Sequence, residues 1–258
     1  MISKPLTLLA AFSLLAGCAS LDSTGEPSYA DDSEVNFSRG QKALDDGRHL
    51  EALKYFEHVR YKFPYSSHAA LADLAVGDTY FSQEKYLEAI DAYRNFLKLR
   101  PNHPRSDYAE FRVALSHYKD IPSDFFIFPP SSEKDQTAVR KALETFGLFV
   151  ERYPSSEHTA EAKRLHQDVR LRLARHELYV ADFYLHRERW RAAVGRLDHL
   201  LEKYPGTEVE GEALFKLAGA HLKLGDKEKA RDALERLIRD LPNDPNHADA
   251  QSLLASLT

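Results

Sequence analysis

From residue 34 onward, large apolar side chains recur at helical spacing and in register with five alanines. Ala52, Ala89, Ala142, Ala193 and Ala230 are each followed four residues later by Phe56, Tyr93, Phe146, Leu197 or Leu234. Three residues further on come Val59, Phe96, Phe149, Leu200 and Leu237. Positions i, i+4 and i+7 share one helix face, so each set predicts an amphipathic helix. A proline stands twelve residues after each alanine, at Pro64, Pro101, Pro154, Pro205 and Pro242. It ends the helix, because it lacks an N–H and its ring clashes with the preceding turn. Twelve residues before the alanine a small residue recurs as Gly40, Gly77, Ala181 and Ala218; in the third copy it is Ala114, displaced by sixteen residues. A small residue at fixed distance predicts a partner helix crossing closely, with the small residue expected to face the alanine. Gly47 and Gly225 fall between the two helices, as turns or C-caps do.

This order of small residue, alanine, large apolar residue and proline resembles the tetratricopeptide repeat. The resemblance implies an all-α solenoid of about five helix-turn-helix repeats. The first-helix tryptophan of that repeat is missing; Asn36, Asp73, Glu110, Glu177 and Leu214 hold its position. An insertion at 120–136 separates the helices of repeat three. After Pro154, a helical pattern through Leu165, Val169, Leu173 and Val180 predicts one helix of roughly 30 residues, about 45 Å long. It divides the solenoid into an N-terminal half, 34–156, and a C-terminal half, 157–258. A short helix near Pro245–Ser256 is expected to cap the open end.

The first 17 residues lack the repeat. Lys4, an apolar run from Pro5 to Leu15, and then Ala16-Gly17 are ordered as in a secretory signal. The run is far short of the ~20 residues of a membrane-spanning helix. It ends at Cys18, the sole cysteine. That arrangement resembles a bacterial lipobox, which implies cleavage before Cys18 and acylation of its thiol. Residues 18–33, rich in Ser, Asp, Gly and Pro, then read as a flexible tether. Cleavage removes 17 of the 258 residues and Lys4 with them, leaving 34 basic against 40 acidic side chains, a formal charge of −6. That balance argues against nucleic acid as a partner. The twelve histidines are scattered without metal-ligand spacing, and no glycine-rich phosphate loop or Gly-x-Ser-x-Gly elbow occurs. The reading is therefore of a protein that is no enzyme and uses no metal or cofactor.

Five such repeats, the lipobox, the tether, the aromatic insertion and the long helix together resemble the BamD family. The stretches His103-Pro104-Arg105-Ser106-Asp107-Tyr108, Arg152-Tyr153-Pro154-Ser155-Ser156, Leu171 to Tyr184 and Trp190 to Arg196 carry the likeness. Asp124-Phe125-Phe126 stands where the family has a double-phenylalanine loop, but the basic-acidic run that follows there is Ile127-Phe128-Pro129-Pro130 here. The resemblance implies an outer-membrane lipoprotein facing the periplasm, in the β-barrel assembly machinery. Its implied partners are the periplasmic domains of BamA, other Bam lipoproteins, and C-terminal targeting segments of unfolded outer-membrane proteins. The alternatives are a repeat lipoprotein adaptor serving peptidoglycan or cell division, and an envelope hydrolase.

Three groups of residues are candidates for binding. First helices line the concave face of such repeats, and Phe37, Leu74, Asp78, Phe81, Tyr108, Phe111 and Tyr118 occupy frame positions expected either to form a groove for an aromatic-ended peptide or to pack against the neighbouring repeat, which helix periodicity does not distinguish. Between Lys163 and Arg196, nine basic residues stand against four acidic ones. Within that excess, Arg187, Arg189, Arg191 and Arg196 are expected to dock an acidic partner surface, since guanidinium pairs bidentately with carboxylate. The family resemblance places a BamA contact at the arginine matching Arg196, so Arg196→Glu is expected to weaken that contact without changing thermal stability. Phe125, Phe126 and Phe128 form a proline-bounded apolar loop, either tucked into the solenoid or exposed as an anchor.

Overall fold

The computed structural model describes residues 27–122 and 135–257. The signal segment, Cys18 and Phe125, Phe126 and Phe128 lie outside the described residues. Those described form eleven helices: α1 (Ser33–Asp45), α2 (His49–Lys62), α3 (Ser67–Ser82), α4 (Tyr86–Leu99), α5 (Ser106–Lys119), α6 (Thr137–Arg152), α7 (Thr159–His186), α8 (Trp190–Lys203), α9 (Glu210–Leu224), α10 (Lys227–Asp240) and α11 (His247–Ala255). Each packs mainly against the helix before and the helix after it, with next-but-one contacts between α1 and α3 and between α5 and α7. Five antiparallel pairs and a terminal helix therefore stack as a tetratricopeptide solenoid, in agreement with the repeat frame. The long helix α7 has 28 residues, about 42 Å at 1.5 Å per residue.

The five frame alanines and the apolar pair that follows each are buried. Each second helix ends in the same way. The N–H of the residue before the frame proline donates to the carbonyl of Val59, Phe96, Phe149, Leu200 or Leu237, and the proline then prevents another turn. The turn inside a pair is also repeated. Gly47, Glu84, Glu188 and Gly225, each five residues before a frame alanine, have φ between +56° and +83°. Two of these left-handed positions thus carry glutamate, which a Cβ disfavours.

At Gly40 and Gly77 the nearest group across the helix pair is the aromatic ring that follows the frame alanine. A Cβ placed on Gly40 would lie 2.7 Å from the ring of Phe56, and one on Gly77 would lie 2.6 Å from the ring of Tyr93. The glycine makes room for the aromatic one helical turn beyond the alanine. Where Leu197 or Leu234 replaces that aromatic, the small residue is Ala181 or Ala218.

In four of the five repeats the position of the missing tryptophan is polar, for a reason the structure makes plain. Buried Asp73 pairs with both Arg60 and Arg100, joining repeats one and two. Glu110 pairs with Arg152 and accepts from the Tyr153 hydroxyl at 3.2 Å. Buried Glu177 pairs with Arg196 at 3.2 Å. Asn36 donates to the carbonyls of Ala30 and Asp32 and accepts from the Ala30 N–H. A buried charge is tolerated when paired in this way.

The last residues of the expected tether are docked. The Ser28 carbonyl accepts from Arg39 and from the Tyr55 hydroxyl. Tyr29 stacks on His58 with centroids 4.0 Å apart, and Asp32 caps α1 through the Val35 N–H. Residues 28–32 are therefore a strap along α1 and α2 rather than flexible chain. One continuous apolar cluster runs from Phe111 to Ala250, across the boundary expected at 156–157.

Candidate functional site

The first-helix positions of repeats two and three converge on Asp78, the residue after Gly77 in α3. Its Oδ1 accepts from the Tyr93 hydroxyl of α4 at 2.6 Å and from the Tyr108 hydroxyl of α5 at 2.5 Å. Arg112 of α5 completes the junction. Its Nε donates to the Tyr93 oxygen at 2.9 Å, an Nη lies 3.4 Å from Asp78, and its guanidinium sits 3.8 Å from the centroid of Phe81. The close Gly77–Tyr93 approach is what brings the Tyr93 hydroxyl to this carboxylate. Burial, followed by the Asp78 charge, pushes the phenols of Tyr93 and Tyr108 well above the ordinary tyrosine range. Arg112 is held charged by Tyr93, Tyr108 and Asp78 despite its burial. Phe81 and Tyr108 remain half-buried. The result is an aromatic face whose rings are fixed by a neutralised ion pair, suited to apolar and aromatic side chains rather than to a bare anion.

The remaining expected groove positions divide. Tyr118 donates to Asp168 at 2.9 Å, and Arg172 of α7 pairs with the same carboxylate while covering the Tyr118 ring. Phe37 is half-buried against Phe56 and His68. Leu74 and Phe111 are only 3% and 4% exposed, which corrects their assignment to the groove. Phe111 lies flat on His158 and against Phe149; helix periodicity placed it on the right helix but does not distinguish the face toward the next repeat. Arg112 and Asp168 carry no mark in the sequence pattern, and Tyr93 is marked there only as a core residue. The signal available was the frame itself: Arg112 is an arginine two positions before Ala114, on a helix whose other marked residues are aromatic.

The basic segment is partly spent within the chain. Arg170 donates to the Pro205 carbonyl, and Arg175 pairs with Glu208. Arg196 is 45% exposed and neutralises Glu177, which is 6% exposed. Arg196→Glu would leave that carboxylate buried without its partner, so the expectation of unchanged stability is corrected. Arg187 sits 3.6 Å over the ring of exposed Phe183. Arg189 and Arg191 are exposed at the start of α8. Tyr184, Arg191, Ala192, Gly195, Arg196 and His199 line a shallow depression of about 400 Å³ between α7 and α8. Among the described residues no group of three or more His, Cys, Asp or Glu is placed to hold a metal ion, and no helix is long and apolar enough to cross a membrane.

Two of the stretches on which the family resemblance rests, around Asp107 and around Ser156, also meet in space. Ser156 donates to Asp107 at 2.7 Å, and residues 101–104, 106, 107 and 152–156 line one depression of about 560 Å³.

A stack of tetratricopeptide pairs whose marked residues form faces and shallow depressions defines a tetratricopeptide-repeat protein. The profile of one family, described as outer membrane lipoprotein (YfiO), matches residues 29–237. The chain belongs to that family. It is similar to the outer membrane protein assembly factor BamD of Caulobacter vibrioides, with 31% identity over 86% of this chain and 70% of the relative. It is similar also to the protein of the same name from Vibrio cholerae, with 29% identity over 90% of this chain and 95% of that one. Among solved structures it is similar to the TPR2AB domain of yeast Sti1, at 13% identity, 87% and 86% coverage and a TM-score of 0.43.

Proposed function

We propose that this chain is a non-catalytic scaffold of outer-membrane protein assembly, anchored through acylated Cys18 and facing the periplasm. Its C-terminal half docks the periplasmic domains of BamA. Exposed Arg191, with Arg187 and Arg189, offers the charge, and Arg196 takes part through the depression it shares with Tyr184 and His199. Other Bam lipoproteins bind the same scaffold. The N-terminal half receives the C-terminal segments of unfolded outer-membrane proteins on the face built by Phe81, Tyr108 and Arg112.

The observation that carries the substrate reading is the fixed aromatic face at Asp78. A chain end with an aromatic residue gains by stacking on rings that are already ordered, since little side-chain entropy remains to be lost. The test is titration of a barrel-protein C-terminal peptide against the wild type and against Phe81→Ala with Tyr108→Ala. Folding of the variant is checked by helicity. We expect a loss of affinity of roughly tenfold or more, about 1.4 kcal/mol. Unchanged affinity in a folded variant would remove this face from substrate binding.

A further inference from the structure

The repeat frame states what a solvated position in this molecule contains, and repeat one departs from it at two neighbouring sites. Nine residues after the frame alanine, repeats two to five carry Lys98, Glu151, Glu202 and Arg239, all charged; repeat one carries Tyr61. Directly after the frame proline, the later repeats carry Asn102, Ser155, Gly206 and Asn243; repeat one carries Tyr65. Tyr61 is 78% exposed and Tyr65 is fully exposed. The Arg60 guanidinium lies 5.8 Å from the Tyr61 ring centroid, but four other repeats form the same turn with neither ring. Lys62 stands beside them, and Tyr29, Lys54, Glu57, His58, Tyr61 and Lys62 surround a depression of about 380 Å³.

This patch lies where the chain leaves the domain. The strap pins Ser28 to Arg39 and Tyr55, and Tyr29 to His58. Only eight residues separate Cys18 from Pro27, so that covalent distance is at most about 30 Å. A lipid on Cys18 therefore keeps the start of repeat one within about 30 Å of the bilayer surface. Tyrosine prefers the boundary between hydrocarbon and water, where the ring is shielded and the hydroxyl stays hydrated. A neighbouring lysine reaches lipid phosphate from the same depth.

We propose that Tyr61, Tyr65 and Lys62 form a second, non-covalent contact with the membrane surface, orienting the solenoid relative to the bilayer. The proposal rests on acylation of Cys18. A scaffold held by lipid alone swivels about its tether, whereas one held by lipid and patch presents its later repeats at a fixed height.

The test uses tryptophan reporters in the full acylated chain. Trp190→Phe removes the native signal. Tyr65→Trp is then compared with Arg239→Trp, the repeat-five equivalent of position 61, in phosphatidylethanolamine–phosphatidylglycerol vesicles with brominated acyl chains. The result expected is several-fold stronger quenching at position 65 than at 239, reduced by Tyr61→Ser with Lys62→Glu. Equal, weak quenching at both positions in protein that floats with the vesicles overturns the proposal and leaves a protein partner as the occupant. Failure to float would instead refute acylation. The same chain hung by a histidine tag before Ala19 on nickel-chelating lipid then gives the same readout, and weak quenching there also overturns the patch.

Discussion

Glu177 and Arg196 illustrate how a residue marked for binding already serves the fold. The carboxylate is buried on α7, and the guanidinium reaches it from α8. Arg196→Glu should lower stability by on the order of 1–2 kcal/mol, because the buried acid loses its partner and gains a like charge, while the exposure of Arg196 limits the effect. Arg191→Glu, on the same face but exposed, should leave the thermal midpoint within about 0.5 kcal/mol of wild type. Comparing the midpoints of the two variants checks this, and a pull-down of BamA interprets cleanly only for Arg191→Glu. His117 makes a second case. It is buried in α5, and burial and then Arg94 push its pKa below the ordinary imidazole value; Lys141 acts in the same direction, Asp120 and Glu144 against it. The fold favours neutral imidazole, so as pH falls the unfolded chain takes up the proton first. Stability is complete above about pH 6.5 and declines below it toward the depressed folded value. Urea midpoints should therefore fall between about pH 7.5 and about pH 5.5, and His117→Gln should flatten that slope.

At the scale of elements, the contact of Gly77 with Tyr93 is the sharpest constraint. On a solvated helix, glycine to alanine gains up to about 1 kcal/mol. Here the new methyl would lie 2.6 Å from the Tyr93 ring, so Gly77→Ala should destabilise by about 1–3 kcal/mol and loosen peptide binding with it. Urea denaturation of Gly77→Ala checks the sign. The helices themselves were legible in the sequence. Period, proline spacing and turn glycines all act within one helix or one turn, and α7 appeared at nearly its full length. What faces what was not legible. The register between α3 and α4 sets Gly77 against the Tyr93 ring, and no spacing along one helix contains that information. Leu74 and Phe111 were misplaced for the same reason. The strap was missed because Ser, Asp and Pro read as coil locally, while its partners Arg39 and Tyr55 lie 11 and 27 residues away.

At the scale of the molecule, stacking neighbours bury one another's faces, so stiffness is distributed along the solenoid. The apolar cluster from Phe111 to Ala250 couples the long helix to repeats three, four and five, and Asp73 with its two arginines ties the first repeats together. A scaffold of this kind can hold a substrate segment at one end and a partner at the other without either touching the other. The proposed division rests on the aromatic face at Asp78 and the depression at Arg191. The most direct test of the central claim is affinity purification of the full chain from detergent-solubilised envelopes, with mass spectrometry of what is retained. Recovery of BamA, diminished by Arg191→Glu, is the predicted result. Recovery of peptidoglycan-binding or energy-transducing proteins with no BamA would contradict the account.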